Sequence, residues 1–204
     1  MKFALSQIGK NIILIGGTSH AGKSTLADFF AAKFALTNIS TDKLARHPGR
    51  PWKDKPEEIP LHVQQHYFNL PVNELLADVL KHYQKIWPNV QSVIQSNTNN
   101  LVMEGSALLP QLVRQLNLKE ITAVWLTATA EFLKDRIYKS AHYLNKSVNE
   151  KFLVDKFVSR TIAFDHFILK EVKTLKLPFL EVQKFGIVAD LAKAVKLQTN
   201  WSTK

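Results

Sequence analysis

Residues Asn11 to Thr25 read Asn-Ile-Ile-Leu-Ile-Gly-Gly-Thr-Ser-His-Ala-Gly-Lys-Ser-Thr, an apolar run that passes directly into a glycine-bounded turn. Gly17 to Ser24 satisfies G-x-x-x-x-G-K-[ST], the phosphate-loop pattern. Glycines let the backbone turn back and point successive N–H groups, here those of Thr18, Ser19, His20 and Ala21, at phosphate oxygens above a positive helix N-terminus. In this pattern Gly17, Gly22 and Thr25 complete the cradle, Lys23 reaches the β- and γ-phosphates, and Ser24 offers its hydroxyl to Mg²⁺. The pattern needs a buried strand before it and a helix after it. Ile12 to Ile15 is short, continuous and rich in β-branched residues, and Thr25 to Phe34 places Leu26, Phe29, Phe30 and Phe34 at helical spacing. An accidental glycine-rich turn would lack these flanks. His20 either touches phosphate or fills a turn position.

At 204 residues the chain suits one well-buried α/β domain spanning 1–204. No apolar run approaches membrane-spanning length, and the N-terminal residues are interrupted by Ser6, Gln7, Gly9 and Lys10 without a small-residue cleavage site, so a soluble, unprocessed protein is expected. Cysteine is absent, which excludes disulfides and thiolate metal sites and fits a reducing, cytoplasmic setting. The net charge of +10 points to a polyanionic partner. A nucleic-acid groove would interleave aromatic with basic residues, and no such run is present, so nucleic acid is the less favoured partner and a phosphorylated small molecule the favoured one.

Outward from the loop, Leu36–Ser40 is a second strand candidate that delivers Ser40-Thr41-Asp42 at its carboxyl end. His47 to Pro60 carries four prolines, which argues a long loop of the kind used for lids and binding. Pro60 opens a helix with Val63, Tyr67 and Phe68, and Asn73–Ile86 is a second helix facing the core. Leu101–Met103 is a third strand ending at Glu104, and Pro110 starts a helix to Leu116. Ile121–Leu126 is a fourth strand, and Thr129 caps a helix through Ile137. Ser147-Val148-Asn149-Glu150 is a capping box opening a long helix. Pro178–Val182 is a fifth strand and Ile187–Leu197 a closing helix. Alternation of strands and helices implies right-handed crossovers and a parallel sheet covered on both faces, with ligands at the carboxyl ends of the strands. The phosphate loop, Asp42 and Glu104 all fall at such ends.

Phosphoryl transfer needs a cradle, a metal, a group that orients the acceptor, and cations for transition-state charge. Glu104, directly after a buried strand, pairs with Ser24 as a Mg²⁺ site. Asp42 is either the base that orients the acceptor hydroxyl or the N-cap of a short helix. Arg46 and Arg50 follow it, and with Lys43 form a compact cationic site for an acidic or phosphorylated acceptor. Trp52 either packs this loop down or covers a substrate. His62 and His66 share a helical face but lack the intervening glutamate of a zinc protease, and serve as surface or acceptor-site polar residues. Arg136 and Arg160 are the only arginines of the basic segment between strands four and five, where a closing lid would place them over the nucleotide.

Together, Gly16 to Ser24, Ser40-Thr41-Asp42, Arg46 to Trp52, Glu104-Gly105 and Lys156 to Thr161 make the chain resemble the P-loop small-molecule kinases of the nucleoside and nucleotide kinase type, and within them the bacterial 2-phosphoglycerate kinase-like proteins. The resemblance implies a three-layer P-loop NTPase fold with sheet order 2-3-1-4-5, an acceptor-binding insertion at about 42–90 and a lid at about 128–160. With the residues above, the expected activity is ATP- and Mg²⁺-dependent transfer of the γ-phosphoryl group to a small anionic acceptor, and the expected assembly is a monomer or homodimer. Lys139 and Ser140 stand where a nucleotide kinase has a second lid arginine, which argues against a nucleoside monophosphate kinase. The competing readings are a regulatory ATPase acting through a macromolecular partner, and a polynucleotide or toxin-like kinase.

Overall fold

A computed structural model describes residues 12–44, 49–52, 59–97, 100–116 and 121–199; Arg46 lies outside them. Five parallel strands form one sheet: β1 (Ile12–Gly17), β2 (Thr37–Ser40), β3 (Leu101–Glu104), β4 (Ile121–Thr127) and β5 (Phe179–Glu181), in the order β2-β3-β1-β4-β5. Helices α1 (Lys23–Phe34), α2 (Leu61–Asn69), α3 (Val72–Ser96), α4 (Pro110–Val113), α5 (Ala130–Ser140), α6 (Val148–Thr174) and α7 (Val188–Thr199) connect and follow the strands. This is the expected order and layering.

Every residue of β1 is buried, and the period of two divides them between two cores. Ile12 and Leu14 face a cluster with Met103, Trp125, Val90 and Phe164, covered by α3, α4 and α6. Ile13 and Ile15 face another with Val102, Leu126, Phe30 and Val195, covered by α1 and α7. A third cluster gathers Trp52, Tyr67, Leu75, Ile137, Leu153 and Phe157 from the 49–52 loop, α2, α3, α5 and the first half of α6. These groups form a cap beside the phosphate loop.

Helix α3 extends ten residues past the expected end at Ile86, through Pro88. An interior proline removes a hydrogen bond and costs about 3 kcal/mol, so the local signal is a stop. Tertiary burial overrides it, because Ile86, Trp87, Val90 and Ile94 all pack into the core on this helix. Helix α6 opens with the expected box: the Ser147 hydroxyl accepts from the Glu150 N–H, and the Glu150 carboxylate accepts from the Ser147 N–H. The Thr129 hydroxyl likewise accepts from the Phe132 N–H at the start of α5.

Two glycines set the geometry of the strand ends. Gly17 has φ +125° and backs onto the Leu126 carbonyl, leaving no room for a Cβ. Gly105 has φ +152°, and a Cβ there would fall on the Thr41 hydroxyl and 2.8 Å from the Thr41 Cβ. This close approach holds the turn that carries Asp42 against the end of β3. Gly105→Ala is expected to cost about 1–3 kcal/mol in urea unfolding through overpacking.

Candidate active site

Strand β1 ends at Gly17 between β3 and β4, with Ile15 level with Glu104 and Gly17 level with Leu126. The Gly105 N–H extends the pairing by donating to the Ile15 carbonyl at 3.1 Å. Strand β2 brings Ser40 level with Glu104, so Asp42 emerges two residues beyond the carboxylate. The Ser40 hydroxyl accepts from the Asp42 N–H at 3.4 Å, which caps the short turn from Thr41 to Lys43 and leaves the Asp42 side chain exposed. Ser40, not Asp42, is therefore the cap of this turn, and the Asp42 carboxylate is left without that structural role.

Helix α1 starts at Lys23, two residues earlier than the sequence pattern suggests, which puts Lys23 and Ser24 in its first turn. Lys23 is 8% exposed, and its Nζ donates to the Thr18 carbonyl at 2.7 Å. Burial pulls the pKa of this ammonium below its usual value. Glu104, Asp42 and Asp165 oppose the shift and Arg50 adds to it. The Thr18 hydroxyl donates to the Thr161 carbonyl at 3.2 Å, fastening the loop to α6. A cavity of about 420 Å³ follows the loop, lined by Ser19, His20, Lys23, Ser24, Glu104 and Arg136 among others. It continues to a groove of about 230 Å³ between Gly22, Thr25, Phe132 and Arg136 on one side and Phe185 to Val188 on the other. The Arg136 guanidinium lies 4.7 Å from the Phe132 ring and donates to the His20 carbonyl at 3.1 Å.

On the far side of Asp42 lies a second cavity of about 250 Å³, whose wall includes Arg50, His82, Tyr83, Ser106 and Arg160. Ser19, Asp42, Arg50 and Ser106 line both this cavity and the one along the phosphate loop. Arg160 is only 7% exposed. It is held over Phe157 at 4.6 Å and Tyr67 at 5.9 Å, and its buried Nε has no hydrogen-bond partner. The structure therefore places Arg160 with Asp42 and Arg50, on a helix that runs unbroken through the core, while Arg136 lines the cavity along the phosphate loop. Trp52 is buried and packs the 49–52 loop onto Phe157 at 4.8 Å. His66 lies 3.8 Å from Asp78 and lines neither cavity.

Tyr83 and Asp165 escaped the sequence reading, as did His82 and Ser106 in the second cavity. Tyr83 falls within Asn73–Ile86, a stretch that reads in the sequence only as a core-facing helix. Asp165 is 2% exposed on α6 and accepts from the Ala128 N–H, while its Oδ1 has no partner. Its only sequence signal is its place on the apolar stripe of α6, four residues after Thr161. Burial pushes its pKa up to about 7, with the Ala128 bond and Lys23 opposing. A carboxyl with a raised native pKa binds its proton more tightly in the folded state. Its contribution to stability is therefore full below about pH 4 and declines as pH rises through 7, by at most about 4 kcal/mol. Asp165→Asn keeps the acceptor oxygen and is expected to flatten the fall in urea midpoint between pH 5 and pH 8.

No protein-family model matches the chain, and no curated protein is significantly similar to it in sequence. Solved structures are similar in fold. Shikimate kinase from Bacteroides thetaiotaomicron superimposes with a TM-score of 0.55 at 14% identity, over 94% of this chain and 99% of that one. Shikimate kinase from Aquifex aeolicus gives 0.52 at 13% identity, over 93% and 96% of the two chains. Deoxyadenosine kinase from M. mycoides, solved with bound dATP, gives 0.50 at 15% identity, over 93% and 100%. The chain has the fold of the P-loop kinases. Identity at this level carries the fold alone, so the roles of its side chains rest on their own geometry. Among the described residues no helix is long and apolar enough to cross a membrane.

Proposed function

We propose that the protein is an ATP- and Mg²⁺-dependent kinase that transfers the γ-phosphoryl group to a hydroxyl of a small anionic metabolite. The observation that carries this reading is the shared wall: the cavity along the phosphate loop and the cavity holding Arg50 and Arg160 meet at Asp42. A nucleotide-hydrolysing switch has no need of a second, cation-lined chamber at that point.

In this reading the N–H groups of Thr18 to Lys23 cradle the phosphates, and the groove between Phe132, Arg136 and Phe185 takes the base. Asp42 orients the acceptor hydroxyl and receives its proton. The acceptor oxygen bonds to the γ-phosphorus as the bond from that phosphorus to the β–γ bridging oxygen breaks, and the electron pair leaves with ADP. Lys23 offsets charge on the transferring group. Ser24 and Glu104 line one cavity and offer a hydroxyl and a 6%-exposed carboxylate. This hard-oxygen donor pair suits Mg²⁺, which is commonly held by one or two protein oxygens together with substrate phosphates. When bound, Mg²⁺ would neutralise charge on the β- and γ-phosphates.

Arg160 and Arg50 would bind the acceptor's anionic group. A buried guanidinium without an ion pair among the described residues is costly, and an anion from the substrate removes the cost. The cavity volume suits a metabolite of a few carbons. A phosphorylated hydroxy acid, the class implied by the resemblance to 2-phosphoglycerate kinase-like proteins, meets both the charge and the size. The test is incubation with ATP labelled in the γ-position and a mixture of hydroxy acids, phosphoglycerates, sugars and nucleosides, followed by mass identification of the labelled product. A labelled small anion supports the reading. ADP release that no metabolite accelerates and that a macromolecule alters would replace it with a regulatory ATPase, and labelled oligonucleotide would replace it with a polynucleotide kinase.

A further inference from the structure

The phosphate loop of this protein is bolted to the cap through one of its own side chains. His20 has φ +64°, a conformation that residues other than glycine hold only when their surroundings impose it. Its carbonyl accepts from Arg136, and its Nδ1 is 3.0 Å from the Ser19 hydroxyl. The ring leaves the loop and enters the third apolar cluster, with its centroid 6.0 Å from Trp52 and 6.2 Å from Phe157. Its Nε2 is buried without a partner. Burial, assisted by Arg50, Lys23 and Arg136, holds the imidazole pKa down at about 4, so the ring is neutral at physiological pH.

The cradle needs only backbone N–H groups, so the imidazole, which also borders the cavity along the phosphate loop, is available for a second role. What it touches is the acceptor side. Trp52 stands two residues after Arg50, whose guanidinium lies 5.9 Å from the Trp52 ring. Phe157 lies beneath Arg160 at 4.6 Å. The Tyr67 hydroxyl donates to the Gly49 carbonyl at 2.8 Å and closes the loop against α2.

We propose that His20 is a positioning residue that couples the two substrate sites: a nucleotide that orders the phosphate loop fixes the imidazole against Trp52 and Phe157, and thereby orders Arg50 and Arg160 for the acceptor. The inference rests on the kinase reading of the two cavities. Such a coupling is reciprocal and is expected on the order of tenfold in affinity, so the acceptor tightens nucleotide binding by the same factor.

Trp52 reports the coupling directly. The non-hydrolysable analogue AMP-PNP with Mg²⁺ is added to saturation, as judged independently by calorimetry, and tryptophan emission is recorded for the wild type, Trp52→Phe and His20→Asn. Asparagine tolerates the left-handed backbone but has no ring to reach Trp52, and His20→Gly serves as a second variant with the same backbone freedom. The expected result is an emission change in the wild type that is missing in Trp52→Phe and lost in both His20 variants with the analogue bound. An undiminished change in the His20 variants, or bound analogue without any Trp52 response in the wild type, overturns the coupling and leaves the kinase reading standing. Failure of the wild type to bind AMP-PNP overturns the nucleotide site and the coupling with it.

Discussion

Lys23→Ala is expected to lower kcat by about 10²–10³-fold, the usual effect of removing one group that stabilises charge in a transition state, while leaving a folded protein. The Lys23 ammonium is buried beside Glu104 and Asp42, and burial already works against its charge. A triphosphate would supply the missing counter-charge, so the group is worth more in the reacting complex than in the empty site. The fold does not need it. The Thr18 carbonyl that accepts from Nζ also accepts from the Ala21 N–H at 3.4 Å, and so keeps a partner after the substitution. Steady-state ADP release, with the thermal midpoint as a control for folding, checks both halves. Lys23→Arg should not restore the rate, because a planar guanidinium does not replace a compact ammonium in a closed cradle. Full turnover by Lys23→Ala would remove the mechanism.

The sheet was legible because its signal is local. Ile12 to Ile15 and Leu101 to Met103 are short apolar runs bounded by glycine and acid, and a strand buried on both faces has that composition. The strand order followed from family resemblance. The caps at Ser147 and Thr129 were legible because they involve residues three apart in sequence. What the sequence concealed depends on distant packing. Pro88 reads as a stop until the burial of Val90 and Ile94 is known. Asp165 reads as an ordinary helical carboxylate until Ala128 and Lys23 are placed beside it. Arg160 lies 110 residues from Arg50 in the chain, and only the path of α6 through the core brings both to one cavity. The phosphate-loop motif is therefore legible from one short stretch of sequence, whereas the second cavity depends on the cap that α2, α3, α5 and α6 assemble.

That division is sharpest at Arg160, where function and stability are expected to move in opposite directions. Arg160→Met keeps an unbranched side chain of similar reach against Tyr67 and Phe157 but removes the charge. Losing a buried charged group that pairs with a ligand typically costs about 2–5 kcal/mol of binding, so kcat/KM for the acceptor should fall by about 10²–10³-fold, chiefly through KM. The KM for ATP should change little, since Arg160 does not line the cavity along the phosphate loop. Stability should hold or rise by about 1–2 kcal/mol, because a buried ion exchanged for a well-packed apolar side chain is often neutral to stabilising, against the loss of its contacts with the two rings. Urea unfolding without ligand measures the stability change, and kinetics with varied acceptor measures the binding change. A variant that loses stability and binds acceptor normally would mark Arg160 as a packing residue. One that gains stability and loses acceptor would identify a charge kept in the core for the sake of its substrate.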